Sequence, residues 1–96
     1  MANALVSVQI IPKTKNGEDT IPYVDAAIEV IAQSGVKYEV NPLETTMEGD
    51  LPVLLSIIEK MNTRMTERGC ESIISQVKVF HKPDGASMYE LTEKYR

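Results

Sequence analysis

Residues 5–11 alternate between two sets of side chains: Val6, Val8 and Ile10 point one way, and Leu5, Ser7, Gln9 and Ile11 the other. This period of two, rich in Val and Ile, predicts a strand with moderate burial on both faces. Pro12 has no N–H and is expected to end its hydrogen bonding. A polar loop over 13–19 follows, with the turn pair Asn16-Gly17. The period then changes. Val24, Ala27, Ile28 and Ile31 recur at i, i+3, i+4 and i+7, which predicts a helix over about 21–34. Asp19 or Thr20 can cap it, Pro22 fits its first turn, and Gly35 suits a left-handed stop.

Two short strands come next. Residues 36–41 place Val36, Tyr38 and Val40 on one face, opposite Lys37, Glu39 and Asn41, and Pro42 breaks the run. Residues 44–48 set Thr45 and Met47 against Glu44, Thr46 and Glu48, and Gly49 closes them. The short link at Pro42 implies an antiparallel hairpin. Asp50 is expected to cap a second helix, with Pro52 in its first turn and an apolar stripe of Leu51, Leu54, Leu55, Ile58, Met61 and Met65. Gly69 ends it. A fourth strand spans 72–81, Pro83-Asp84-Gly85 forms a turn, and Ser87 with Glu90 has capping-box spacing for a short helix ending near Arg96.

The order β-α-β-β-α-β predicts one α+β domain over residues 1–96, a ferredoxin-like βαββαβ sandwich. Its four-stranded antiparallel sheet should have the order 4-1-3-2, with two helices on one face. The other face should carry Leu5, Ser7, Gln9, Ile11, Thr46, Glu48, Ile74, Gln76 and Phe80. A monomer would leave Leu5, Ile74 and Phe80 in water, so a homodimer or homotetramer through sheet faces or edges is expected.

Composition narrows the function. In 96 residues, ten Lys and Arg stand against fourteen Asp and Glu, for a net charge of −4. That balance argues against nucleic acid or an anionic membrane surface as partner. No apolar run approaches the ~20 residues needed to span a bilayer, and residues 1–11 do not have the layout of a signal peptide. One cysteine, Cys70, excludes an intramolecular disulfide and suits a reduced, cytoplasmic setting, as a packed thiol without a base beside it. The single histidine, His81, cannot build a metal cluster and reads as structural. The 13–17 loop is too poor in glycine for a phosphate-binding loop. Glu39, Glu44 and Glu48 read as a solvated or intersubunit charge cluster ahead of a general acid/base pair. No catalytic residue, metal ligand or cofactor is therefore assigned. The polar segment 44–49 remains unusual for an inner strand, where polar side chains need partners, and a small polar ligand would supply one.

Ile10-Ile11-Pro12, Ile21-Pro22-Tyr23-Val24, the 34–39 segment Ser-Gly-Val-Lys-Tyr-Glu and above all Asn41-Pro42-Leu43-Glu44-Thr45-Thr46-Met47-Glu48-Gly49-Asp50 stand in an order that resembles the small thiamine-binding protein family (YqgV-like, related to the YkoF-like proteins). Val77-Lys78-Val79 and the tail through Tyr95-Arg96 also fit, so the resemblance spans nearly the whole chain. It implies a ferredoxin-like fold, a homo-oligomer that is a tetramer of paired sheets, and non-enzymatic binding of thiamine or its hydroxymethylpyrimidine portion in thiamine handling or salvage. Some relatives have a smaller residue at the position of Glu44.

For such a ligand, carboxylates can accept from the exocyclic amine, and hydroxyls can donate to ring nitrogens. Ser7, Thr45, Thr46 and Glu48 offer those groups, and Pro12, Tyr23 and Tyr38 offer a rim. Thr45 and Thr46 point to opposite sheet faces, so both faces stay open as the pocket. The other reading is a structural or regulatory protein-interaction module with no small-molecule ligand. A small enzyme would need a carboxylate with a strongly raised pKa in a closed pocket.

Overall fold

A computed structural model describes residues 2–95. Its elements run β1 (Ala4–Lys13), α1 (Ile21–Ser34), β2 (Lys37–Val40), β3 (Thr45–Gly49), α2 (Leu51–Glu67), β4 (Ser72–His81) and α3 (Met88–Thr92), with a 3-10 turn over Glu93–Tyr95. The C-terminal residue Arg96, where the last helix was expected to end, lies outside the described residues. The sheet has the order β2-β3-β1-β4 and every neighbouring pair is antiparallel. Read from the other edge this is 4-1-3-2, the expected ferredoxin-like arrangement.

The core lies between the sheet and α1 and α2. Val6 and Val8 of β1 and Met47 of β3 meet Ala27 and Ile31 of α1 and Leu54, Ile57, Met61 and Met65 of α2. The stripe of α2 differs from expectation at two positions: Leu55 is exposed and Ile57 is buried. At about 100° per residue, Leu55 lies a quarter-turn and more beyond Leu54, away from the arc that holds residues 54, 57, 61 and 65. On α1 the buried arc runs through Tyr23, Ala26, Ala27 and Ile31. Val24 and Ile28 fall at its margin and stay half-buried.

One helix start uses the group the local sequence suggests and the other does not. The Asp19 carboxylate accepts from the Ile21 N–H at 3.1 Å. Asp50 makes no side-chain cap on α2. Asn3 Oδ1 instead accepts from the Leu51 N–H at 3.0 Å, which ties the start of β1 to the start of α2. Gly35 stops α1 in the left-handed region, as expected.

Pro12 does not end β1, which pairs with β4 through Pro12↔Ile73 and Lys13↔Ser72. The Lys13 and Asn3 carbonyls accept from Glu71 and Lys82 on the β4 side, so odd-numbered residues turn their peptide groups toward β4. Pro12, being even-numbered, presents its missing N–H to the other edge. There β3 pairing has already stopped at Val8↔Thr45. The hairpin strands are also shifted from expectation, to 37–40 and 45–49.

The second sheet face is partly covered by the C-terminal segment. Lys82 and Ala86 donate to the Asn3 and Ala2 carbonyls and lead the chain back across the sheet. Ser87 Oγ accepts from the Glu90 N–H, the expected cap. Glu48 Oε1 accepts from the Met88 N–H at 2.8 Å. Leu5, expected in water for a monomer, is buried under Ala86 and Met88. Ile74 and Phe80 do remain exposed. Glu48→Ala should release this tail by removing a hydrogen bond to a charged group, worth about 1.5–3 kcal/mol. The expected result is faster proteolytic cleavage within residues 82–95 with the 4–81 core intact; an unchanged cleavage rate would contradict the role given to Glu48.

Candidate functional site

Unequal strand lengths create the site. β3 has five residues and β1 ten, so, among the described residues, 9–13 of β1 have no strand beside them on the β3 side. By the alternation fixed at Lys13 and Asn3, the Ile10 N–H and C=O and the Pro12 C=O turn into that gap. The hairpin bends around it, with the Asn41 N–H donating to the Glu44 carbonyl at 3.0 Å. The result is a notch of about 240 Å³ whose walls include Val8 and Ile10 of β1, Val24 and Ile28 of α1, Met61 of α2, and the 40–45 turn. The margin residues of the α1 stripe are therefore half-buried because they form one wall of an open space.

Among the polar residues of this wall, which include Gln9, Asn41 and Glu44, Thr45 is the buried one, only 6% exposed. Its hydroxyl makes no hydrogen bond among the described residues, where every fully enclosed side-chain polar atom has a partner. The Thr45 oxygen therefore reaches the notch. A hydroxyl that opens into a notch, beside a strand edge that offers one donor and one acceptor, can take a flat polar ring edge-on.

The residues singled out from sequence divide between the two sheet faces. Thr45, Pro12 and Tyr38 share the helix side, by the pairs Val8↔Thr45 and Tyr38↔Met47 and by the parity of β1. Thr45 lines the notch; Pro12 is buried farther along β1, and Tyr38 sits half-exposed on the edge strand. The Tyr23 hydroxyl donates to Glu18 Oε1 at 3.3 Å, and burial, reinforced by that carboxylate, pushes the phenol above its usual range. Ser7, Thr46 and Glu48 lie on the opposite face. Thr46 borders a wider cleft of about 500 Å³ beneath α3, with Glu39, Leu91 and Tyr95. Glu48 is engaged by Met88. Cys70 is a buried thiol that donates to the Lys13 and Ser72 carbonyls. Among the described residues no group of three or more His, Cys, Asp or Glu could hold a metal ion.

Ser7 takes part in a brace across three strands. It pairs with Lys78 on β4 and with Thr46 on β3. The Ser7 hydroxyl, and next the Lys78 ammonium 3.3 Å away, hold the Glu44 carboxyl below its ordinary value. A carboxyl depressed in the fold adds stability above its unfolded pKa and loses that contribution as pH falls through the folded value. Acidification below about pH 4.5 should therefore lower the melting temperature of the wild type more than that of Glu44→Gln. Parallel melting curves for the two across that range would contradict the brace.

Comparison with known proteins places this geometry among relatives. A family model described as thiamine-binding protein matches residues 6–96. A UPF0045 protein of Clostridium perfringens is 45% identical over 93 residues, covering 95% of each chain. The structure of a domain of unknown function, DUF77, from Bacillus cereus superimposes with a TM-score of 0.92 at 38% identity, covering 100% of this chain and 93% of that one. A candidate thiamine biosynthesis/salvage protein of Thermotoga maritima gives a TM-score of 0.86 at 29% identity, covering 98% and 99% of the two chains.

Proposed function

Because the chain belongs to the thiamine-binding protein family, we propose that it binds thiamine or its hydroxymethylpyrimidine portion, without catalysing a reaction on it, and serves thiamine handling or salvage. The pyrimidine ring occupies the notch. A volume of about 240 Å³ falls short of the ~300–1,000 Å³ typical of drug-sized ligand sites, so it suits one substituted ring and leaves the rest of a longer ligand outside. An aminopyrimidine edge carries a ring-nitrogen acceptor next to an amine donor. The Ile10 N–H and C=O answer that pair as a neighbouring strand would, and Thr45 supplies a third polar contact. Val24, Ile28 and Met61 pack against the ring. The cationic thiazolium stays at the mouth, in the field of an acidic chain.

The observation that carries this reading is the Thr45 hydroxyl, on a buried residue but open to the notch and without a protein partner among the described residues, beside an unpaired strand edge. Calorimetric titration tests it. Thiamine and hydroxymethylpyrimidine should bind with affinities within about tenfold of one another, a spread of about 1.4 kcal/mol. The thiazole alcohol should not bind. Absence of heat with both pyrimidines up to millimolar ligand would overturn the proposal.

The working form is a homo-oligomer, a dimer or tetramer, in a cytoplasmic setting. Ile74 at 60% exposure, Phe80 at 44% and Ile11 at 41% leave apolar area on the sheet face beside α3, which a second copy would cover. Sedimentation should give a multiple of the 10.7 kDa chain mass, and Phe80→Asp should shift it to the monomer. A wild-type monomer would contradict this part of the reading.

A further inference from the structure

We propose that the groove between α1 and α2 is a second ligand site, for a small phosphate ester, independent of the notch. The groove has a volume of about 340 Å³ and is walled by Gln33 and Ser34 of α1 and Lys60, Thr63 and Arg64 of α2, with Val30 and Ile57 at its apolar base. Lys60 and Arg64 are one helical turn apart, so their cations project along the same face. Neither makes a salt bridge or side-chain hydrogen bond among the described residues, although the chain carries an excess of acidic groups. Arg64 is moreover only partly exposed, so its planar fork of five N–H donors is held at the groove with none committed to protein.

The carboxylates around the groove do not neutralise it. Glu29 accepts from the Gln33 amide at 3.0 Å. Glu67 lines the groove but pairs with neither cation. Gln33 and Ser34 at the C-terminal end of α1 share the groove with Lys60 and Arg64, and Arg64 also lies in the last turn of α2, so helix negative poles stabilise the two cations. That field opposes an anion, so a phosphate there must be held by the directed donors of Arg64 and Lys60. A dianionic oxygen cluster can take the Arg64 fork and the Lys60 ammonium together, and an apolar body attached to it would rest on Val30 and Ile57.

Amide chemical shifts during titration with phenyl phosphate at low salt test the site. Saturable changes are expected at Gln33, Ser34, Lys60, Thr63 and Arg64, with inorganic phosphate weaker for want of the apolar body and benzoate weaker still for want of the second charge. Arg64→Gln and Lys60→Gln should each weaken phenyl phosphate, Arg64→Gln by about tenfold or more. Glu67→Gln should tighten it by removing a like charge. All three positions are at the surface, so melting temperatures should stay near the wild-type value and the fold remains testable. Benzoate binding as tightly as phenyl phosphate, unsaturable shifts, or unchanged affinity in Arg64→Gln would overturn the proposal, leaving the two cations as partners of the α1 terminus alone. Thiamine binding is a separate readout and should be the same in all three variants.

Discussion

Replacing Thr45 by Val is expected to weaken hydroxymethylpyrimidine binding by about tenfold or more while leaving the unliganded protein as stable as before or more so. The two side chains have nearly the same shape, and the substitution exchanges the hydroxyl for a methyl. In the free protein that hydroxyl opens into the notch and makes no hydrogen bond among the described residues, so its loss breaks no bond within the chain. In the complex the methyl leaves a polar atom of the ligand unpaired, at a cost of about 1–3 kcal/mol. A loss of affinity without a loss of stability separates a binding residue from a structural one. Thr45→Ser, which keeps the hydroxyl, should retain most of the affinity. A stability loss in Thr45→Val, or equal affinities for Val and Thr, would show that the hydroxyl acts within the fold. Thermal melting and calorimetry on the same preparations decide between the two.

The largest effect on stability is expected at Leu54. Its side chain is fully buried between α2 and β3, within the cluster formed by Met47, Met61 and Ile31. A Cβ placed at Gly49 would lie 3.1 Å from Leu54 Cδ2, so the helix start and the end of β3 are in close contact there. Leu54→Ala should destabilise the protein by about 2–5 kcal/mol, the lost transfer energy plus the cavity. That is a large part of the ~5–15 kcal/mol that holds an ordinary domain together. Gly49→Ala should destabilise less, and in the Leu54→Ala background its cost should shrink or vanish, because the added methyl enters space the leucine vacated. Strict additivity of the two changes in urea unfolding would contradict the contact.

The fold could be read from the chain because its two periods are clean. The 6, 8, 10 alternation of β1 and the 54, 61, 65 part of the α2 stripe report burial directly, and helix boundaries followed Pro22, Gly35, Pro52 and Gly69. Long-range partners were not readable. Asn3 caps α2 from 48 positions away, and Glu48 holds a helix 40 positions later; neither spacing leaves a local signature.

Pro12 misled for a related reason. Proline stops a strand only when the missing N–H faces a partner, and the direction it faces is set by the sheet. The candidate site was half legible. Thr45 stood out as a polar residue on an inner strand, but its separation from Ser7, Thr46 and Glu48 depends on sheet register, and the remaining notch residues look like ordinary core. Val24, Ile28 and Ile10 become wall residues only because β3 is five residues shorter than β1, a difference no single segment reveals.

The central claim is that the ligand enters the helix-side notch at the unpaired edge of β1. Amide shifts during titration with hydroxymethylpyrimidine measure this most directly. The largest changes are expected at Ile10, Thr45 and Asn41, with the Ile10 amide moving as its N–H gains an acceptor. Changes centred instead on Ser7, Thr46, Glu48 and Met88, with Ile10 still, would contradict the account and place the ligand on the opposite face of the sheet.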